Sequence, residues 1–304
     1  MENELDFSTI GIVSMGDMGH AIARTLREGG HRVLAALDGR SERTYALATK
    51  ADIEDVGSLN TMISQVDLIL SIMPPVAAPE FAKSAALEMR NSGTTPVFID
   101  CNAVAPRTVQ HIAETIMQSG GTFIDGSIIG APPGRRTPTR LYVSGPDAEV
   151  LASLARPDLE IRPLGSEIGT ASGIKMFYAA LTKGTMSLDT LVLLGAQQMG
   201  LSVPLIREFS ESQPHALERM RGSVPWLAAD AERWVGEMEE IAKTFADAGL
   251  TDQMHLGAAN IFQLLANSTL ATETRETADR TRELDEAIKA FAASLSASSR
   301  DAAD

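Results

Sequence analysis

Cysteine is almost missing from this sequence: Cys101 stands alone in 304 residues. A single thiol cannot close an intrachain disulfide, so a disulfide-stapled scaffold is excluded and a reducing compartment, the cytoplasm, is expected. Basic residues are short as well, 26 Lys and Arg against 40 Asp and Glu, for a net charge of −14. That balance argues against nucleic acid or an anionic membrane as the main partner. No long apolar run is present. The longest candidate, 68–73, stops at Pro74-Pro75, too soon for a membrane span. The opening MENELDFS carries acids and no base, unlike a signal peptide. The five histidines show no metal-ligand spacing, and with one cysteine no metal site is expected. What is plentiful is apolar content, 44% of residues, which is a globular level. The length suits two domains.

The first half alternates two periodicities. Buried strands are expected at 9–13, 32–37, 67–73, 96–100, 122–129 and 140–144. Helices are expected at 17–28, 41–50, 79–90 and 106–119, the last opened by Pro106. Strands alternating with helices of this length imply βαβ units and a doubly wound parallel sheet of Rossmann type. Past Gly165 only helical spacing remains, at 167–198, 203–212, 230–248, 255–266 and 272–293, with a frayed tail over 294–304. The expected domains are therefore 1–164, an α/β dinucleotide-binding domain, and 165–304, an all-α domain that includes a long interdomain helix.

Gly11-Ile-Val-Ser14-Met15-Gly16-Asp17-Met18-Gly19 follows the first strand and opens the first helix. The spacing is that of G-x-G-x-x-G with Ser14 in the first place. Its glycines let the backbone approach a pyrophosphate, which the helix N-terminus attracts. Ser14, Met15, Gly16, Asp17, Met18 and Gly19 are thus candidate cofactor contacts. Asp38, at the end of the second strand, is placed to bind the ribose hydroxyls of NAD. Arg40, Ser41 and Arg43 follow at once and suit a 2′-phosphate. Either Asp38 or Ser41 would equally serve as the cap of the next helix. Three polar groups against one acid tilt the balance to NADP(H), with NAD(H) open. Met73, Pro74 and Asn102 end the next strands, where ligands of such sheets lie. Lys175 sits among Ala171, Ile174, Met176 and Ala179. An ammonium on so apolar a face is partly desolvated and suited to acid–base work, although a snorkelling lysine has the same pattern. Tyr178 shares its helical face and Lys183 lies near it.

Taken in order, Ser14-Met-Gly16-Asp-Met-Gly19, Pro74-Pro75, Asp100-Cys-Asn102 with Pro106, Phe123-Ile-Asp125-Gly126-Ser127 and Gly169 to Lys175 resemble the β-hydroxyacid dehydrogenase superfamily. That group includes 3-hydroxyisobutyrate dehydrogenase, 6-phosphogluconate dehydrogenase and the imine reductases. The second half, notably Lys175-Met-Phe-Tyr-Ala-Ala-Leu-Thr-Lys-Gly184 and Arg233-Trp-Val-Gly-Glu-Met-Glu-Glu240, resembles phosphogluconate-dehydrogenase-like proteins whose C-terminal domain has no assigned function. The resemblance implies an active site in the cleft between domains and a homodimer formed through the α domain. It places Lys175 at the family's catalytic lysine, which exchanges a proton with the substrate oxygen during hydride transfer.

The departures from the family pattern bear on the substrate. The family's Asp-Ala-Pro-Val-Ser-Gly-Gly loop reads here Asp125-Gly-Ser127-Ile128-Ile129-Gly130, with Ile129 at the serine. Ser127, two residues earlier, is the available hydroxyl. Ser127, Ile128 and Ile129 are accordingly candidate substrate contacts, with Lys183. The family's asparagine one turn after the lysine is absent, and Tyr178 is the candidate replacement. A further family lysine has no match, and Glu237 and Glu240 stand near its place. That exchange leaves room for an amine, an imine or a polyol, and 6-phosphogluconate is not expected as substrate. Arg135, Arg136 and Arg140 either hold a substrate anion or form a solvated hairpin. The expected function is an NAD(P)-dependent oxidoreductase acting on the hydroxyl or carbonyl of a small hydroxyacid-like molecule. Imine reduction on the same fold and a nicotinamide-binding regulatory or interaction protein are the alternatives.

Overall fold

A computed structural model of the chain describes residues 7–301, with side chains to residue 295. The acidic start (1–6) and residues 302–304 of the expected frayed tail lie outside the described residues. The chain divides into two compact units, Met1–Met176 and Phe177–Asp304. The division falls inside a helix that the sequence reading assigned whole to the second domain.

The first unit runs β1 (Thr9–Val13), α1 (Asp17–Glu28), β2 (Arg32–Ala35), α2 (Glu42–Lys50), β3 (Glu54–Asp55), α3 (Leu59–Ile63), β4 (Leu68–Ser71), α4 (Ala78–Ser92), β5 (Val97–Asp100), α5 (Pro106–Met117), β6 (Phe123–Ile129), β7 (Thr139–Ser144) and β8 (Leu159–Pro163). The strands form one sheet in the order β3-β2-β1-β4-β5-β6-β7-β8. All neighbours are parallel except β6 and β7, which pair antiparallel with Ser127 opposite Tyr142 and Ile129 opposite Arg140.

Strand side chains alternate between faces, so a run apolar at every position is buried on both. In β4 Leu68 and Leu70 join the layer that holds Ile22 and Leu26 of α1. Ile69, between them, joins the layer of Ala82 and Ala86 from α4 and Ile112 from α5. Order reverses between β1 and β4, and the crevice at the carboxyl ends there is where such sheets take ligands.

Three elements of this unit escape a reading of the sequence. β3 and α3 are only two and five residues long, too short for a period to emerge. β8, LEIRP, mixes charge and proline in an edge strand that only its pairing with β7 defines.

α6 (Thr170–Gln198) begins in the first unit and continues into the second. α7 (Ser202–Ser212), α8 (Pro214–Ser223), α9 (Ala228–Asp247), α10 (Gln253–Ala266) and α11 (Leu284–Asp301) follow. Trp234 of α9 packs edge-on against Phe262 of α10 at 5.2 Å, and Phe245 lies 4.4 Å from the ring of His255. The helix expected over 272–293 is a correction: it starts only at Leu284. Short polar side chains divert the backbone before it. Thr277 Oγ1 accepts from the Thr274 amide at 2.8 Å, and Asp279 accepts from the Thr281 amide at 2.9 Å. Within the expected tail, the backbone up to Asp301 is helical.

Candidate active site

The loop after β1 is built for close backbone approach. A Cβ on Gly19 would fall 1.9 Å from the Ser14 carbonyl oxygen, so only glycine lets α1 start this near the strand. Gly16 is the N-cap of α1, has no side-chain cap, and nothing stands within 4 Å of the position a Cβ would take. An uncapped helix N-terminus with open space before it suits a pyrophosphate. The loop is tied to β4 by the Ser14 amide, which donates to Ile72 O at 3.0 Å. His20 turns its Nδ1 to the Gly16 carbonyl at 2.8 Å. Met15 is 1% exposed and its side chain belongs to the core, while Met18 packs against that core, so these two frame the loop from behind.

A cavity of about 380 Å³ opens beside this loop, with Val13, Asp38, Arg40, Ser58 and Phe81 in its wall. Asp38 and Arg40 therefore share one space, and both readings of the second strand's end meet there. Ser41 is the N-cap of α2 and accepts from the Thr44 amide at 3.3 Å. Arg43 reaches from α2 to Asp17 in the first turn of α1, at 2.5 Å.

At the ends of β4 and β5, Asn102 is a buried clamp. Its Oδ1 accepts from the Met73 amide at 2.6 Å, and its Nδ2 donates to Ser71 Oγ at 2.9 Å and Asp100 Oδ2 at 2.8 Å. The Asn102 amide is thus engaged in fixing the Met73-Pro74 turn, and Pro74 is exposed. Burial pushes the Asp100 carboxyl up to about 7, against the pull of the Asn102 donors.

β6 carries the other buried acid. Asp125 accepts from Ser172 Oγ at 2.7 Å, the Ser172 amide at 3.1 Å, the Gly169 amide at 2.9 Å and Ser144 Oγ at 3.0 Å. Burial raises its pKa, and these donors oppose the rise. Ile128 and Ile129 are buried, and Ile128 O accepts from Lys175 Nζ at 2.7 Å. Lys175 itself is half-buried. Ser127 Oγ and Arg140 Nε, on paired strands, are buried without a hydrogen-bond partner. Arg135 and Arg136 are exposed in the loop between those strands. Sequence reasoning quoted Asp125 within a motif but missed its work. The available signal was an acid in the otherwise apolar run of β6, which requires partners when buried.

The remaining candidates belong to the second unit. Tyr178 is exposed. Glu237 is buried and forms an ion pair with the partly buried Lys183, with Arg233 on the other Glu237 oxygen at 3.0 Å. Lys183 and Arg233 both lie over the Trp234 ring, at 5.3 and 5.4 Å. Glu240 is buried and pairs with Lys243 at 2.5 Å. Among the described residues no group of three or more His, Cys, Asp or Glu could hold a metal ion, and no helix is long and apolar enough to cross a membrane.

The strand–glycine loop–helix at a topological switch point defines the class, a Rossmann-type dinucleotide-binding fold followed by a helical region. Residues 9–156 match the NAD binding domain of 6-phosphogluconate dehydrogenase, and residues 196–265 match a domain of unknown function, DUF1932. In its NAD-binding half the chain resembles the β-hydroxyacid dehydrogenase family. It is 29% identical over 196 residues to 3-hydroxyisobutyrate dehydrogenase of Pseudomonas aeruginosa, covering 64% of each chain. It is 26% identical over 197 residues to the mitochondrial 3-hydroxyisobutyrate dehydrogenase of Drosophila melanogaster, covering 64% of this chain and 58% of that one. The match thus spans less than two thirds of either enzyme. Among solved structures, a conserved hypothetical protein from Sinorhizobium meliloti 1021 has the same fold, with TM-score 0.64, 23% identity, and coverage of 96% of this chain and 98% of that one.

Proposed function

We propose that the protein is an NAD(P)-dependent oxidoreductase that interconverts hydroxyl and carbonyl on a small hydroxyacid-like substrate, with Lys175 as general acid and base. The observation that carries this reading is the placing of Lys175 at the carboxyl end of β6, 2.7 Å from Ile128 O, in the unit that holds the glycine loop.

The residues present fit a nicotinamide dinucleotide. The Gly16–Gly19 backbone and the α1 N-terminus would hold the pyrophosphate, and the cavity wall at Asp38 and Arg40 the adenosine half. Ser41 caps α2 and Arg43 pairs with Asp17, so the choice at the 2′ position rests on Arg40 against Asp38. Arg40 favours NADP(H). When bound, the nicotinamide accepts hydride in oxidation and donates it in reduction. Lys175 takes the proton from the substrate hydroxyl, or returns one to the carbonyl oxygen. Arg140, with its buried and unpaired Nε, is the anchor for a substrate carboxylate, and Ser127 backs it.

One observation favours a hydroxyacid over an amine or imine. Glu237 is neutralised by Lys183 and Arg233, so it offers no net negative charge to an ammonium group. The active form is a homodimer. Leu181, Leu188 and Leu191 lie exposed along α6, an apolar stripe that a second copy would cover.

The test is Lys175→Met, assayed on a panel of small hydroxyacids and cyclic imines with NADPH and NADH. Turnover is expected to fall by about a hundredfold to ten-thousandfold with cofactor affinity kept. An unimpaired rate removes Lys175 from the chemistry.

A further inference from the structure

α6 begins without a cap of its own. The residue before it, Gly169, has no side chain and sits at φ +109°, where other residues are strained. The free amides of a helix's first turn need acceptors when they are buried. Here the acceptors come from the sheet. Asp125 on β6 takes the Gly169 amide, the Ser172 amide and the Ser172 hydroxyl. Ser144 on β7 donates to Asp125 and accepts from the Ala171 amide at 3.0 Å. Ser172, Asp125 and Ser144 are all fully buried, so the cluster exchanges nothing with solvent.

Lys175 follows Ser172 by three residues and therefore points from nearly the same helical face, one turn on. Its ammonium lands on Ile128 O, three residues beyond Asp125 on the same strand. The separation along β6 is roughly 10 Å. It is matched by about 5 Å of helical rise and the lysine's own stem. The helix start is thus pinned to β6 at two places, by a carboxylate at one and by the lysine amine at the other.

We infer that Asp125 is a positioning residue: held by Ser172, Gly169 and Ser144, it fixes the first turn of α6 so that the Lys175 amine is presented at the carboxyl end of β6. The inference rests on the reading of Lys175 as the proton-transfer group. A displacement of a reacting group by about 1 Å can cost on the order of a hundredfold in rate, which makes such a fixture worth its buried charge.

The experiment needs no substrate. The full chain is acetylated with acetic anhydride at fixed pH, and the rate at each lysine is read by peptide mass spectrometry, with surface Lys83 and Lys289 as references. Asp125→Asn is expected to raise the Lys175 rate about fivefold relative to those references, the factor that a lost cap gives to local opening. Ser144→Ala is expected to raise it less, and NADPH titration checks that each variant is folded. If Asp125→Asn does not fold, Ser144→Ala carries the test alone. An unchanged Lys175 rate in the folded variants overturns the inference and leaves Asp125 a plain helix cap. On a turned-over substrate, Asp125→Asn should lower kcat with KM kept. Should Lys175→Met retain full turnover, the proton-transfer reading fails while the labelling result still stands, so the two failures are told apart.

Discussion

Asp125 and Glu237 are both acids buried out of reach of solvent, and they are satisfied in opposite ways. Around Asp125 the hydrogen-bond donors are neutral: two backbone amides and two serine hydroxyls. Around Glu237 the partners are cations, Lys183 and Arg233, which also lie over Trp234. Nearby Asp230 follows the second pattern. It is held by Arg233 and Arg275, whose charges pull its pKa below the ordinary carboxylate range despite burial. The pKa of Asp125 goes the other way, because dipoles compensate burial less fully than a full opposite charge does. Dipoles, however, have direction. A carboxylate held by amides dictates where a helix starts, whereas an ion pair tolerates a range of geometries. The first pattern stands at the start of α6, and the second among the packed helices of the second unit.

The comparison is sharpened most by pH. Asp100, beside Asp125 in the register of β5 and β6, is raised by burial from an ordinary value of 3.8 to about 7. Its native state binds the proton more tightly than the unfolded chain does. The Asp100 contribution to stability is therefore greatest below about pH 4, falls as pH rises toward 7, and levels off above it. The loss is on the order of 4 kcal/mol. Asp125, raised in the same direction, adds in the same sense. Urea midpoints measured from pH 4 to 8 should show the slope, and Asp100→Asn should flatten most of it. A slope equal in the variant would show that the strand-end acids are not its source.

The charge-held region should break differently. Glu237→Gln leaves the partly buried Lys183 with one partner charge removed, at a cost of about 3 kcal/mol. Urea denaturation checks this. High salt should narrow the gap between variant and wild type only slightly, because the pair is shielded from solvent. A variant as stable as the wild type would mean that Trp234 packing, and not charge, holds α6 to α9.

Much of the scaffold is legible from the residues alone. The run Thr9–Val13, the glycine loop and the helix Asp17–Glu28 are found where spacing puts them, because strand burial and helix period are local signals. Lys175 stands out for the same reason, a charge on an apolar helical face. What stays hidden depends on distant partners. Asp125 lies 19 residues from Ser144 and 47 from Ser172, so its grip on α6 exists only in the folded chain. Asn102 reads as a strand-end ligand contact, yet Ser71 and the Met73 amide engage its side chain. Glu237 and Glu240 read as acids facing a substrate until Lys183, Arg233 and Lys243 are seen against them. The helix expected from residue 272 fails because Thr274, Thr277 and Asp279 bond locally, and apolar spacing alone does not register that competition.

The central claim is that the first unit holds a nicotinamide dinucleotide at the Gly16–Gly19 loop and the Asp38–Arg40 cavity. The most direct measurement is a fluorescence titration of the protein with NADPH and NADH side by side, repeated on Arg40→Ala. Saturable binding is predicted, tighter for NADPH, with the preference reduced or abolished in the variant. Binding of neither nucleotide would contradict the account, and an equal effect of Arg40→Ala on both would contradict its assignment of the 2′ position.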